Sequence, residues 1–587
     1  MNKRYLTEYQ SPCYQTHPVP EESPERVGSM KKTFGIVLVV LVFAFTAAAD
    51  TGNRFKNSAP DPLASNDDGL FTPAQFEAAM AARPDPSGKV FVSRCRFAPF
   101  STTKTLYAPF AGTQTADAIV GDTKFFFADG TSCYNPQNES NIVINPTNAN
   151  NVVTSANEYR FNLEADEVYV SMDGGKTFTD VVLPGRTGAT GGQGVFARVG
   201  SCGDPVLAFG PDGTLYYVGL NCNFRKGSTA SGVAVSASHD GGMTWGAPKM
   251  VHFTDPNELF NDKDWITVGP DGTVYVTWTR FKLNGALQGF AGSPIVVSVS
   301  QDGGNTWSDF TKVSDDSHPF NQGSQPVVAP DGTLYVAYEG ATPSTGFNGD
   351  AIILARSTDG GRTFTNTELA RAYDDFNCYP FNVAQGRQTL SGEQFRINSF
   401  PSLAIDPTSG HLAITWTDDQ ANAGCGFEKG GHFVGPTSNQ VKLITSSDGT
   451  TWGAAHVITT GAADKVYSAV GFNAGRLIVT YYTRAYSPDT DDCHAQVLDT
   501  ATHTLSFLPG RVCLDYAARS SSDAFGSETR LTTDSSNPYI TFAGSFIGDY
   551  TGAAVDGMGR GFAAWADFRG NPGITNPNMD MDVYRLY

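Results

Sequence analysis

The sequence predicts an all-β fold, a closed ring of six or seven four-stranded antiparallel blades, with seven favoured. Three observations predict it. A stretch Ser-x-Asp-Gly-Gly-x-Thr-aromatic recurs at Ser171–Phe178, Ser238–Trp245, Ser300–Trp307 and Ser357–Phe364, with a shortened copy at Ser446–Trp452. Its turn aspartates are Asp173, Asp240, Asp302, Asp359 and Asp448. Asp-Gly-Gly is hairpin chemistry, because glycine accepts positive φ and Asp bonds the backbone just after it. A second turn, Pro-Asp-Gly-Thr, joins apolar runs at Pro211–Thr214, Pro270–Thr273 and Pro330–Thr333, with looser copies at Asp406–Gly410, Asn473–Gly475 and Asp556–Gly559. Third, 12% aromatic residues with 62 Gly and 33 Pro in 587 residues suit many short strands joined by turns.

Each unit therefore reads strand, Pro-Asp-Gly turn, strand, variable loop, strand, Asp-Gly-Gly turn, strand. A lone blade cannot bury both of its faces, whereas a ring can, and closure protects the sheet edges. Such a β-propeller repeats one unit along the chain. Starts of the inner hairpin fall near residues 142, 205, 265, 326, 402, 467 and 552. The last unit ends after Val583–Tyr587, so its fourth strand is expected from the N-terminal side.

Ahead of the ring the chain divides into three. Residues 1–29 are a polar extension, read as lying before the true start at Met30; the alternative is a cytoplasmic tail on an uncleaved anchor. Residues 30–49 form a signal peptide: basic Met30-Lys31-Lys32, an apolar run Phe34–Phe45, and Ala47-Ala48-Ala49 as the cleavage site. Residues 50–135 are leader and lead-in strands, with a helix start at Thr72-Pro73 and strand-like Lys89–Ser93 and Lys124–Ala128. Residues 136–587 make the ring. The protein is expected outside the cytoplasm, secreted or at the cell surface, with no stable membrane span once the signal is removed, and as a monomer.

Cysteine usage agrees with export. Apart from Cys13 in the extension there are Cys95, Cys133, Cys202, Cys222, Cys378, Cys425, Cys493 and Cys513, an even set without a C-x-x-C pair. Sequential pairing, 95–133, 202–222, 378–425 and 493–513, is the expectation. The net charge of −19 argues against a nucleic-acid partner. No cofactor is implied. A structural calcium would need the alternating oxygens of Asn578, Asp580 and Asp582, or of Asp262 and Asp264, and neither run has an EF-hand pattern.

Up-and-down blades put the two repeated turns on one face and the long second loops on the other, where function is expected. The inner hairpins end at that second rim in Asn157-Glu158-Tyr159-Arg160, Trp278-Thr279-Arg280, Tyr338-Glu339, Trp416-Thr417-Asp418-Asp419, Tyr481-Tyr482-Thr483-Arg484 and Trp565-Ala566-Asp567-Phe568-Arg569. Inter-blade connections add Asp204, Asp262, Asp264, Arg396 and Asp549-Tyr550. Such a rim can bind a sugar acid or an oligosaccharide; the plainer reading is ion pairing between blades.

The Ser-x-Asp-Gly-Gly-x-Thr-Trp/Phe repeats resemble the Asp boxes, or BNR repeats, of sialidase-like β-propellers. The resemblance covers the chain from about Asn141 onward and implies structural turns remote from the active site. Sialidases hold the substrate carboxylate with three arginines and use a Tyr nucleophile beside a Glu, with an Asp acid. Topology offers Arg280, Arg484 and Arg569 as the triad, Tyr482 as nucleophile, Glu339 as its partner and Asp418 as acid, with Arg160 and Asp567 as further substrate contacts. The family's Phe-Arg-Ile-Pro motif has its nearest match in Phe395-Arg396-Ile397-Asn398, after the fourth repeat and without the proline. A glycan or glycoconjugate is the expected partner, with an exo-glycosidase of sialidase type or a non-catalytic binding or adhesion propeller as the two readings. A hydrolase for neutral polysaccharide, using Glu339 and Asp418, is a third.

Overall fold

The computed structural model describes residues 115–119, 136–159, 165–222, 231–254, 258–284, 289–345, 349–374, 379–380, 388–419, 436–488, 493, 495–499, 504–508, 512–538, 546–569 and 579–586. Among them, seven antiparallel sheets follow one another and ring a common axis. Blade 1 is Gln137–Ile144, Val152–Glu158, Glu167–Ser171 and Thr179–Val182. Blade 2 is Gly200–Phe209, Leu215–Cys222, Ser231–Ser238 and Lys249–Phe253. Blade 3 is Glu258–Val268, Val274–Asn284, Ile295–Ser300 and Thr311–Lys312, with Gly289–Gly292 added in its second loop. Blade 4 is Asn321–Val328, Leu334–Ala341, Asp350–Ser357 and Thr365–Ala372. Blade 5 is Ser402–Ile405, Leu412–Asp419, Asn439–Ser446 and His456–Val457. Blade 6 is Lys465–Asn473, Arg476–Thr483, Asp515–Ser520 and Thr529–Arg530, with the hairpin Ala495–Asp499 and Thr504–Leu508 in its second loop.

Blade 7 settles the blade number at seven. It is Gly552–Val555, Gly561–Asp567 and Asp580–Leu586, completed by Thr115–Asp117 from the other end of the chain. Thr115 pairs with Tyr584, Ala116 with Val583 and Asp117 with Asp582. The fourth strand thus comes from the N-terminal side, as the truncated last repeat required.

The repeated turns work as local chemistry dictates. In the first, Asp173 Oδ1 accepts from Ser171 Oγ at 2.8 Å and from the Lys176 and Thr177 amides at 3.0 and 2.9 Å, while Thr177 Oγ1 donates to Oδ2 at 2.7 Å. Asp240, Asp302 and Asp359 repeat this with Thr244, Thr306 and Thr363; Asp448, in the shortened copy, accepts from the Thr450 and Thr451 amides. The donors favour the carboxylate: the Thr306 hydroxyl and then its amide bring Asp302 down to about 2. The aromatic that closes the repeat has a partner too, Trp245 Nε1 donating to Gly242 O at 2.9 Å.

Blades lock to one another through these turns. The tyrosine after each Pro-Asp-Gly-Thr turn, Tyr216, Tyr275 or Tyr335, lies against the glycines of the next blade's turn: Gly303 and Gly304, Gly360 and Gly361, and Gly449. Both turn types therefore share a face. Between blades the packing alternates along the second strand. In blade 4, Leu334, Val336 and Tyr338 pack toward blade 3, while Tyr335 and Ala337 pack toward blade 5. Trp278, Trp416 and Trp565 are fully buried at matching places in blades 3, 5 and 7.

Two disulfides match the expected sequential pairs. Cys202–Cys222 ties the inner strand of blade 2 to the second, and Cys493–Cys513 lies in the second loop of blade 6, with Cα separations of 5.6 and 4.8 Å. Cys95, Cys133, Cys378 and Cys425 lie outside the described residues, as do the signal peptide and leader. No helix among the described residues is long and apolar enough to cross a membrane.

Candidate active site

The rim charges are spread over different blades, and the nominal arginine triad is divided among them. Arg280 lies over the Phe310 ring in blade 3, 4.6 Å from its centroid. Arg484 pairs with Asp464, donates to Ser391 O at 2.7 Å and stands 3.6 Å from Glu393. Arg569 is held by Asp567 at 2.8 Å and Asp582 at 2.7 Å. Arg484 and Arg569 are thus each engaged with carboxylates of the protein itself. Tyr482 is buried, its hydroxyl donates to Ala566 O at 2.7 Å, and its ring meets Tyr516 and Phe568. That hydroxyl is turned toward blade 7, whereas Glu339 is on blade 4, so the structure does not pair the two. Arg160 lies outside the described residues.

The aromatic-plus-charge pattern at the strand ends has a local explanation in two blades. Trp416 Nε1 donates to Asp418 Oδ2 at 3.2 Å and Trp565 Nε1 to Asp567 Oδ2 at 2.9 Å. A buried indole needs an acceptor, and a carboxylate two residues on along the same strand face supplies it.

Glu339 and Asp418 face the same seam, at its second-loop end between blades 4 and 5. Glu339 continues the face of Tyr335 and Ala337; Asp418 continues that of Ile414 and Trp416, and these faces pack on each other. Asp374, just beyond blade 4, joins them. Its carboxylate accepts from the Ser399 amide at 2.9 Å and from Gln388 Nε2, and it shares a hydrogen bond with the Glu339 carboxyl. Asp418 pairs with Lys442 Nζ at 2.7 Å and accepts from the Tyr373 amide at 3.1 Å. Tyr379 lies within the field of Asp374, Asp418 and Asp419.

Burial, and then the charges of Asp374 and Asp350, hold Glu339 well above the usual carboxylate range and favour its protonated form. Its Oε1 is buried and has no hydrogen-bond partner among the described residues. A buried oxygen of this kind calls for a donor or acceptor from a ligand or solvent. Asp374 was the member that sequence reading missed; it lies just after an outer strand, with no motif to mark it.

A second constellation fills the axis. Lys263 Nζ contacts Glu139 at 2.8 Å, Asp204 at 3.0 Å and Asp549 at 2.9 Å, and Asp549 also takes a two-pronged bond from Arg396. Glu139, Asp204 and Lys263 occupy matching bulges in the inner strands of blades 1, 2 and 3, each with positive φ; Gly323 and Tyr467 do so in blades 4 and 6. The bulge turns these side chains into the axis. Arg396, from Phe395-Arg396-Ile397-Asn398, reaches the same hub from the connection between blades 4 and 5. Desolvation raises Glu139 to about 8, with Lys263 opposing and Asp204 and Asp549 adding to the rise. With that proton bound, the two cations and the two remaining carboxylates balance.

Among the described residues no three of His, Cys, Asp and Glu are arranged to hold a metal. In the Asp262-Lys263-Asp264 run, Asp262 accepts from Gln322 Nε2 at 2.6 Å and the ammonium of Lys263 takes the centre of the hub. Of the other candidate run, Asp582 is bound to Arg569 and Asn578 lies outside the described residues.

No family model matches this chain, and no curated protein matches it. Solved structures similar to it include the Hadza microbial sialidase Hz136, at 16% identity over 59% of this chain and 63% of that one, with a TM-score of 0.37. Another is a Penicillium chrysogenum α-L-arabinanase complexed with arabinobiose, at 15% identity over 65% and 94%, with a TM-score of 0.38. A third is the Trypanosoma rangeli sialidase, at 14% identity over 61% and 55%, with a TM-score of 0.37. This chain spans less than two thirds of either sialidase.

Proposed function

We propose that the protein is a glycoside hydrolase that works at the mouth of the seam between blades 4 and 5. The observation that carries this reading is Glu339: a buried carboxyl beside the Asp374 carboxylate, its protonated form favoured by both, with Oε1 unpartnered among the described residues. A glycosidase needs such an acid and a second carboxylate beside it. In this reading Glu339 delivers its proton to the glycosidic oxygen as the bond to the anomeric carbon breaks. Water adds to that carbon, and Asp418, across the seam, takes the water's proton. Asp374 is a positioning residue that keeps the proton on Glu339 beforehand.

The sialidase-type assignment keeps Arg484 and Arg569 as candidates only if they exchange their own carboxylates for the substrate's. A non-catalytic glycan-binding propeller would use the same seam without the acid.

The test is release of reducing sugar by the full chain from a broad panel of polysaccharides and chromogenic glycosides. Glu339→Gln is expected to lose turnover at least 100-fold while the unfolding midpoint stays near that of the parent. Folded protein that hydrolyses nothing on the panel would end the hydrolase reading, and an active Glu339→Gln would remove Glu339 from the chemistry.

A further inference from the structure

Resting on the hydrolase reading, we infer that this seam selects an uncharged saccharide and turns away acidic sugars, sialic and uronic acids included. The first ground is the charge balance at the site. Glu339, Asp374 and Asp418 face this seam, and among the described residues the cations beside them are Lys442, committed to Asp418 at 2.7 Å, and Arg371, which donates to the Ala372 carbonyl and lies over the Tyr373 ring. A sugar carboxylate placed here meets carboxylates on both walls.

The second ground is what the rim's cations already hold. Arg484 is bound to Asp464 and a backbone carbonyl, Arg569 to Asp567 and Asp582, Arg396 to Asp549, and Lys263 to Asp204, Asp549 and the Glu139 carboxyl. Those carboxylates are nearly all buried. To grip an anionic sugar, any of these cations would have to abandon a desolvated partner and leave that charge uncompensated, which interiors resist strongly. Binding by exchange of partners therefore brings no new pairing.

The third ground is what remains on offer. Glu339 Oε1 is more than nine-tenths buried and unpartnered among the described residues. As the acid it serves a neutral glycosidic oxygen, and a sugar carboxylate placed there would compete for the same proton.

The experiment compares two matched substrate sets with the full chain: neutral (arabinan, galactan and chromogenic pentosides and hexosides) and acidic (a fluorogenic sialoside, polygalacturonate and chromogenic glucuronides). Glu339→Gln serves as the binding-competent control, titrated with oligosaccharides from each set by calorimetry. The expected result is kcat/KM on a neutral substrate at least 100-fold above any acidic one, abolished in Glu339→Gln. Turnover confined to acidic substrates and lost in Glu339→Gln would overturn the selection while leaving the hydrolase reading intact. No turnover, with Glu339→Gln and parent both binding neutral oligosaccharide only, would overturn the hydrolase and uphold the selection. No turnover and no binding of either set would overturn both.

Discussion

At Glu139 a carboxyl group shares the axis with two other carboxylates, and the folded state holds its proton up to about pH 8, against an ordinary 4.5. The sign follows directly. Between those two values the native state binds more protons than the unfolded chain, so stability falls as pH rises through the window. One proton contributes a slope of at most about 1.4 kcal/mol per pH unit. Glu139→Gln keeps the shape and removes the titration, so its denaturant midpoint is expected to change less between pH 5 and pH 8 than that of the parent. An unchanged slope in urea titrations across that range would place the proton elsewhere. Little of this hub was legible beforehand. Asp204, Arg396 and Asp549 were recognisable as connection residues on the right face, but a positive φ at Glu139 or Lys263 leaves no mark in sequence, because neither is a glycine or an asparagine. Glu339 and Asp418 were legible as rim carboxylates; their company, Asp374, was not, since only the packing of blade 4 on blade 5 brings it there.

The turns were the most readable elements, because their bonds are local. Asp173 reaches only from Ser171 to Thr177, and every donor it needs lies within four residues. What the motif does not state is that its glycines also make room for a neighbour. Gly449 and Gly272 separate the two demands. Both sit at positive φ, 67° and 83°. A Cβ on Gly272 would meet nothing, whereas one on Gly449 would run into the Tyr335 ring of the preceding blade. Gly272→Ala is therefore expected to cost about 1–2 kcal/mol of backbone strain, and Gly449→Ala clearly more, because Tyr335 must move as well. Equal losses of unfolding free energy in the two variants would show that the blade-to-blade contact contributes nothing. The same logic explains the misplaced triad. Counting strands identifies the face on which a residue emerges, but the two sides of a blade belong to different seams, and which seam a strand-end arginine enters depends on a one-residue register.

At the scale of the molecule, the ring is held among the described residues by seven similar seams, two disulfides and one closing strand pair. Each disulfide spans 20 residues, for which loop entropy gives about 3 kcal/mol. Replacing Cys202 and Cys222 together by serine is expected to lower the unfolding free energy by that order, measured by denaturant titration under oxidising conditions; no change would mean that the bridge constrains nothing the unfolded chain would otherwise explore. The pairing of Thr115–Asp117 with Asp580–Leu586 has a different kind of consequence. These two strands leave the ribosome first and last among those described. Six blades can be complete while the seventh still lacks its outer strand, and throughout that interval Thr115–Asp117 has no partner and the third strand of blade 7 has yet to be made. Closure joins strands far apart in sequence, and such contacts form slowly. The nascent protein therefore passes most of its synthesis as an open arc with a live edge, and whatever keeps other chains off that edge decides how much of it becomes a ring.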